Sequence, residues 1–185
     1  MSRREIDVNG GQVVAYGFYG RPVIAFPSEN GEARDWEERG MVDALAPLLD
    51  DGRLKLYCIP SFDRESWTRG DLPLEDRAQR HGHYEWWLLT QLVPFVQSDS
   101  HTHEIVVTGA SFGAYHAANF ALKRPDLFPL AICMSGVYDV TVQGGGHRGD
   151  AVYFNNPVDY VANAEGDHLE WLRRSVSLVL VCGQG

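Results

Sequence analysis

The sequence predicts an α/β fold built around a mostly parallel sheet. Short apolar segments bounded by Gly, Pro or Ser recur along the chain, and longer segments with helical spacing separate most of them. The later apolar segments are nearly continuous rather than alternating, which is typical of strands buried on both faces of a parallel sheet. Because 185 residues can bury a sizeable core, we expect a single domain spanning residues 1–185.

Six strands are predicted from the apolar segments. Residues 12–19 and 22–27 lie close together around Gly20, so we expect them to pair as an antiparallel hairpin. The other four segments are expected to form buried strands of the sheet. They cover residues 54–60, 104–109, 128–136 and 176–183.

Helices are predicted between the strands, as the crossover connections that parallel strands need. A helix is expected around residues 41–49, and apolar residues at steps of three and four predict another across 84–95. Residues 111–125 also have helical spacing, and the segment 157–174 ends on a basic turn. The run GGGHRG at 144–149 predicts a flexible loop. We expect the helices to cover both faces of the sheet.

Composition excludes several classes of partner. The chain has 25 acidic and 16 basic side chains, and its formal net charge of −9 repels nucleic acid and anionic membranes. No apolar run approaches the length that spans a bilayer, and the N-terminal residues lack the apolar core of a secretory signal. We therefore expect a cytoplasmic protein without nucleic-acid or membrane partners. Cys58, Cys133 and Cys182 are odd in number and have no Cys-x-x-Cys spacing, which favours free thiols.

The histidines do not predict a metal site, and no cofactor is expected. His81 and His83, like His101 and His103, flank one predicted helix without a nearby Cys or a third acidic ligand. We interpret these pairs as solvated polar ends of the helix. His116 is expected to pack within its helix or lie on its surface, away from any cleft.

The strongest motif centres on Ser111. Gly109, Ser111 and Gly113 form Gly-x-Ser-x-Gly between a predicted buried strand and a predicted helix, which is the context of a nucleophile elbow. The tight turn strains the serine backbone and would make side chains two residues away collide, so glycine is favoured there. The alternative interpretation is a serine that only caps the helix.

Two backbone segments are candidates for an oxyanion hole. The Phe112 N–H opens the predicted helix, next to the positive end of its dipole. The turn PSENG, after the strand at 22–27, offers the Glu29 N–H as the best second donor and the Ser28 N–H as the next. The same turn is also ordinary turn chemistry.

Four segments of the chain resemble a known family. They are VVTGASFGAYHAANFALKRPDLF, PSENG, MSGVYD and YFNNPVDYVAN. The chain is similar, from about residue 10 onward, to serine esterases of the α/β-hydrolase fold, in the putative-esterase group related to esterase D and the mycolyltransferases. This resemblance implies that Ser111 is the nucleophile of an acyl-enzyme mechanism and that Phe112 and Glu29 lend backbone donors. It also implies small-molecule carboxylic ester or thioester substrates.

The resemblance leaves the partners of the serine unassigned. In the family the triad acid follows the seventh strand and the histidine follows the eighth, whereas residues 176–183 match the seventh strand and Gly185 is the last residue. We therefore expect an α/β-hydrolase domain truncated after its seventh strand and, as a 185-residue chain, a weak or inactive esterase. Asp139 and His147 have the chain order Ser, acid, His and could substitute, although a loop of three glycines holds a base poorly. The alternative function is a non-catalytic relative that binds a ligand or self-assembles.

Two further expectations concern the surface. Trp67 lies in a polar loop after the strand at 54–60, on the cleft side of the sheet, and is expected to line an acyl or alcohol pocket. The strand at 176–183 would form an apolar sheet edge, which invites pairing with another chain. We therefore expect a homo-oligomer.

Overall fold

The computed structural model describes residues 1–145 and 148–183, which form a seven-stranded sheet with helices on both faces. The strands are β1 Arg3–Val8, β2 Gly11–Tyr16, β3 Arg21–Phe26, β4 Leu54–Cys58, β5 Val106–Ala110, β6 Leu130–Met134 and β7 Ser177–Val181. Their spatial order is β1-β2-β4-β3-β5-β6-β7. Every pair from β4 to β7 is parallel, so the prediction of a mostly parallel sheet is confirmed.

The start of the sheet differs from the prediction. The predicted hairpin of residues 12–19 with 22–27 is wrong, because β2 pairs antiparallel with β1 and β4 while β3 lies between β4 and β5. Strand β1 was missed because its sequence, RREIDV, is polar and mostly exposed. The real hairpin joins β1 to β2 through Asn9 and Gly10, whose φ values of 47° and 89° are those of a tight Asn-Gly hairpin turn.

Eight α-helices are described. They are α1 Asp35–Glu38, α2 Met41–Asp50, α3 Leu74–Trp87, α4 Val93–Ser100, α5 Phe112–Lys123, α6 Asp150–Tyr153, α7 Pro157–Tyr160 and α8 Gly166–Ser175. A π-helical turn, Leu88–Leu92, joins α3 to α4, and the 3₁₀ turns Asp63–Glu65 and Val140–Gln143 precede α3 and α6. Within the described residues, the helices are all too short or too polar to span a membrane.

Successive strand residues supply two cores, one on each face of the sheet. In β2, Val14 and Tyr16 pack with Trp36 and the helices α1 and α2. Val13 and Ala15 point to the opposite face, where α3, α4 and α5 complete the larger core. The expectation of helices on both faces is therefore confirmed, and α5 is held directly against the centre of the sheet.

Strand β7 forms one edge of the sheet. It pairs with β6 alone, and all five of its residues are exposed. Leu180 is 60% exposed and Val181 is 49% exposed. A groove of about 410 Å³ runs beside the strand and is lined by apolar side chains that include Leu178, Leu180 and Tyr138. This part of the sheet is therefore an apolar edge, as the sequence predicts.

Candidate active site

Ser111 forms the turn between β5 and α5. Its φ of 56° and ψ of −121° place it in a conformation that L residues rarely adopt. The residue is exposed, and its side chain makes no capping hydrogen bond to α5. Its N–H donates to the Met134 carbonyl of β6 at 2.9 Å. The serine therefore does not act as a side-chain cap, and its backbone is fixed by the neighbouring strand.

The two glycines of the motif allow three backbone segments to touch. A Cβ on Gly109 would lie 2.2 Å from the Gly113 carbonyl oxygen. A Cβ on Gly113 would lie 2.2 Å from the Pro27 carbonyl oxygen, just past β3. Neither distance is possible for a side chain without backbone movement, so glycine is required at both positions. The close approach sets the segment after β3 against the first turn of α5.

Three backbone amides lie at the same end of the sheet as the exposed Ser111 residue. The parallel register of β3 and β5 brings the turn at residues 27–31 to the same end of the sheet as Ser111. The N–H groups of Ser28, Glu29 and Phe112 have no acceptor within residues 1–145 and 148–183. The Phe112 N–H lies at the N-terminus of α5, where the backbone dipoles favour negative charge. Such amides can stabilise an oxyanion if it forms at Ser111.

A buried pair of histidines lies beneath this turn. The Nε2 atom of His116 is 3.0 Å from Asp63 Oδ1, and the His81 ring stacks on the His116 ring with centroids 5.3 Å apart. The interpretation of His81 as a solvated polar end is wrong, because α3 turns this side chain into the core, where it is 0% exposed. Burial, and next the nearby His116, lower the pKa of His81 well below its usual value.

Asp63 is the residue of this region that the sequence did not single out. It is 1% exposed, and its Oδ2 accepts a hydrogen bond from the Asn30 N–H at 3.2 Å. Because it follows β4, Asp63 emerges at the carboxyl end of a parallel strand, where α/β folds place their sites. That position is the signal in the sequence that could have identified it.

Trp67 lies in the core rather than on a cleft surface. It is 0% exposed and packs edge-on against Phe112 and Tyr115, with ring centroids 6.3 and 5.9 Å apart. Its indole Nε1 has no hydrogen-bond partner in the described part of the chain. The tryptophan therefore supports the first turn of α5 from below and lines no open pocket in this structure.

Asp139 lies past the end of β6, and its carboxylate is already engaged. Its Oδ1 accepts hydrogen bonds from the Thr141 N–H at 2.9 Å, the Thr141 hydroxyl at 2.6 Å and the Asn156 amide at 3.2 Å. The bond from the Thr141 side chain is the main cause that lowers the pKa of Asp139. His147, its predicted partner, lies outside the described residues.

Within the described ranges, no imidazole is placed beside Ser111. His101 and His103 precede β5 and therefore lie at its amino end, opposite Ser111, while His168 lies on α8, ahead of β7. His116 points into the core. The same residues contain no cluster of three His, Cys, Asp or Glu side chains that could hold a metal ion. The site as described thus consists of an exposed hydroxyl and free amide donors.

The sequence profile of the family described as "Putative esterase" matches residues 59–174, well over half of the chain. The chain belongs to this family. The match includes the whole Ser111 turn and α5. No curated protein matches the sequence significantly.

Solved structures of an esterase and of two other hydrolases share the fold of this chain. A ferulic acid esterase superposes with a TM-score of 0.71 at 18% identity, covering 98% of this chain and 78% of that one. S-formylglutathione hydrolase from Staphylococcus aureus gives 0.67 at 11% identity, with coverages of 99% and 77%. A fluorophosphonate-binding serine hydrolase of the same organism gives 0.66 at 12%, with 99% and 78%. The fold is therefore that of the α/β-hydrolases, and family membership supports a hydrolase function.

Proposed function

We propose that this chain is a carboxylic ester hydrolase in which Ser111 is the nucleophile and an acyl-enzyme is the intermediate. The observation that supports the proposal is the positive φ of Ser111, an exposed residue directly before the Phe112 N–H, which has no acceptor within the described ranges. Attack of Ser111 Oγ on the ester carbonyl would form a tetrahedral oxyanion, and the N–H groups of Phe112 and Glu29 would donate to it. The Ser28 N–H is the next candidate donor.

Completion of the reaction follows from the same geometry. Collapse of the tetrahedral intermediate breaks the bond to the alcohol, which leaves with a proton, and the acyl group remains esterified to Ser111. Water then attacks this ester, the same amides stabilise the second oxyanion, and the carboxylic acid and free Ser111 are released. A thioester substrate would react in the same way, with a thiol as the leaving group.

We expect the rate of the 185-residue chain to be low. A serine hydroxyl needs a base within hydrogen-bond reach, and no imidazole in the described ranges contacts Ser111. Serine hydrolases that lack a triad member keep only about 10³- to 10⁴-fold acceleration over water, from the oxyanion hole and binding. Asp139 and His147 remain a hypothesis for the acid and base.

Turnover of p-nitrophenyl acetate tests the proposal. We expect slow turnover that Ser111→Ala abolishes. Ser135→Ala is the matched control, because Ser135 is also exposed, follows β6 and has a left-handed φ of 47°. Equal rates in wild type and Ser111→Ala would overturn the proposal, and rapid Ser111-dependent turnover would contradict the expectation of a missing base.

Because no imidazole in the described ranges contacts the Ser111 hydroxyl, a second function is also favoured. The chain would then be a non-catalytic relative that keeps the cleft for ligand binding. A fluorophosphonate probe separates the two, because an activated serine is phosphonylated much faster than an ordinary hydroxyl. For an esterase, we expect mass spectrometry to find the label on the Ser111 peptide. Labelling spread over several exposed serines would favour the non-catalytic relative.

We further propose that the chain self-associates through β7. The strand leaves its outer backbone groups unpaired at the edge of the sheet, and its side chains are apolar and exposed. Pairing with a second copy of β7 would extend the sheet and cover this edge. Light scattering at rising concentration should show a dimer or larger species, and Leu180→Lys should shift it to monomer. A wild-type monomer at the highest concentration would refute this assembly.

A further inference from the structure

We propose that Asp63 is a positioning residue for the oxyanion loop, defined as residues 27–31, and that His116 holds the Asp63 carboxylate in place. This inference rests on the proposed function, because the loop matters to catalysis through the Glu29 N–H. It assigns a role to two buried polar side chains that make no contact with the Ser111 hydroxyl in this structure.

Both oxygens of the Asp63 carboxylate are engaged, each with a different part of the site. Oδ2 accepts from the Asn30 N–H at 3.2 Å, and Oδ1 lies 3.0 Å from His116 Nε2. The Asn30 N–H belongs to the peptide unit that links Glu29 to Asn30. Fixing that peptide unit also limits the rotation of the preceding one, which carries the candidate oxyanion donor.

The oxyanion loop needs such an anchor because it has little regular structure of its own. Asn30 adopts a left-handed φ of 57°, and a single turn bond joins the Gly31 N–H to the Ser28 carbonyl. The Thr68 hydroxyl lies 2.9 Å from Asn30 Oδ1 and 3.0 Å from the Asp63 carbonyl oxygen. Thr68 therefore strengthens the same attachment. A buried carboxylate adds a stronger acceptor than a neutral group would supply.

The other end of the connection lies on the nucleophile helix. His116 is four residues after Phe112 on α5, about one helical turn further along. Asp63 thus links the helix that carries the Phe112 N–H to the loop that carries the Glu29 N–H. The two candidate donors are held relative to each other through the buried His116–Asp63 contact and the part-buried Asn30–Asp63 bond, as well as through the Gly113 contact. This matters because displacements of about 1 Å at a catalytic site can cost about 100-fold in rate.

The geometry also assigns the His116 tautomer. Nε2 faces the carboxylate and therefore carries the proton that it donates, whereas Nδ1 has no partner in the described part of the chain. His81 provides a matched control. It is equally buried and stacks on His116, yet among the described residues neither of its ring nitrogens has a hydrogen-bond partner.

The test compares His116→Phe and Asp63→Ala with His81→Phe in the full 185-residue protein. Two measurements are made on each variant: amide hydrogen exchange at Asn30 by NMR, and phosphonylation of Ser111 by a fluorophosphonate. We expect His116→Phe and Asp63→Ala to accelerate exchange at Asn30 and to slow phosphonylation about 10- to 100-fold, as partial loss of one oxyanion donor would. His81→Phe removes an equally buried imidazole and should leave both quantities unchanged.

Asp63→Asn keeps the shape of the side chain, so the His116 tautomer separates a hydrogen-bonding role from a simple packing role. Its side-chain oxygen can still accept from Asn30, and its amide can donate to His116 Nε2 if the imidazole shifts its proton to Nδ1. We expect phosphonylation within a few-fold of wild type, with the change of tautomer visible in the imidazole ¹⁵N shifts. This variant also covers the case in which Asp63→Ala does not fold.

Unchanged Asn30 exchange in His116→Phe, or an unchanged His116 tautomer in Asp63→Asn, would overturn the inference. Faster exchange with an unchanged phosphonylation rate would also overturn it, because the loop would then be held without consequence for Ser111. The two proposals fail separately. If Ser111→Ala shows that turnover does not need Ser111, the proposed function fails, while the exchange and tautomer measurements still test the attachment of the loop.

Discussion

The carboxyl ends of β3 and β5 are closely packed, whereas β7, at the edge of the sheet, is exposed. Around Ser111, backbone segments touch directly, glycines are required, and the supporting side chains of α5 are buried. At β7, all five residues are exposed and pair on one side only. The comparison teaches that close packing of the central strands fixes the Ser111 turn, whereas β7 is packed on one side only.

The largest expected contrast in stability is between substitutions of two leucines, one on a central strand and one on the edge strand. Leu56 on β4 is 0% exposed and Leu180 on β7 is 60% exposed. We expect Leu56→Ala to lower the free energy of unfolding by about 2 to 5 kcal/mol, because it leaves a cavity in the core. At protein concentrations low enough to keep the chain monomeric, Leu180→Ala should cost less than about 0.5 kcal/mol, as for other exposed positions.

Urea unfolding of both variants at the same protein concentration measures this contrast. A loss in Leu180→Ala that approaches the loss in Leu56→Ala would break the comparison. It would show that β7 is covered in solution, as self-association through this strand requires.

A second contrast compares the effect on stability of replacing two glycines that lie in helices. Gly113→Ala forces a Cβ to within 2.2 Å of the Pro27 carbonyl oxygen, and overpacking of this kind typically costs about 1 to 3 kcal/mol. Gly82→Ala on α3 is the control, because its Cβ would meet nothing within 4 Å. It should stabilise the protein by about 0.5 to 1 kcal/mol, since alanine favours helix. Urea unfolding gives both values, and a Gly113→Ala protein as stable as wild type would show that the turn is looser than described.

The buried imidazole of His81 should give the stability of the protein a pH dependence. The folded-state pKa of His81 is lowered, chiefly by burial, so below about pH 6.5 the unfolded chain binds a proton that the folded chain does not. The free energy of unfolding therefore falls as pH falls, by up to about 1.4 kcal/mol per pH unit from this residue. Strand β7 has no ionisable side chain.

Urea unfolding at pH 7.0 and 5.5 isolates this contribution. We expect wild type to lose about 1 kcal/mol more than His81→Phe between the two pH values. Equal losses in the two proteins would mean that His81 takes up its proton in the folded state.

The smallest change in stability is expected for the thiol that follows β7. Cys182 is exposed, whereas Cys58 and Cys133 are buried. Burial raises the pKa of both buried thiols, that of Cys133 to about 11. A thiol-reactive disulfide reagent should therefore modify one cysteine rapidly in the native protein and three after unfolding. Cys182→Ser should remove the rapid phase, and slow native reaction at Cys182 would indicate that this edge is covered.

The sequence predicts the centre of this fold better than its ends. The buried strands and the Gly109 to Gly113 turn are local patterns, and a strand that runs into glycine and then a helix can be read without knowing its neighbours. The β1–β2 hairpin was missed because β1 is a polar edge strand with no apolar run.

The buried polar contacts could not be predicted in the same way. Asp63 and His116 are 53 positions apart, and they meet only because β4 and β5 end at the same edge of the sheet. His81 looked like a solvated residue because its neighbours in the sequence are polar. The packing of α3 against α5, which buries it, is a tertiary effect that spacing alone does not reveal.

The unusual backbone conformation of Ser111 also affects which residue types are favoured at position 111. An L residue held in that conformation costs on the order of 1 to 3 kcal/mol, and glycine would avoid most of this cost. Under selection for folding alone, random substitution would favour glycine at position 111. The serine at this position therefore carries a folding cost that the proposed role of its hydroxyl would account for.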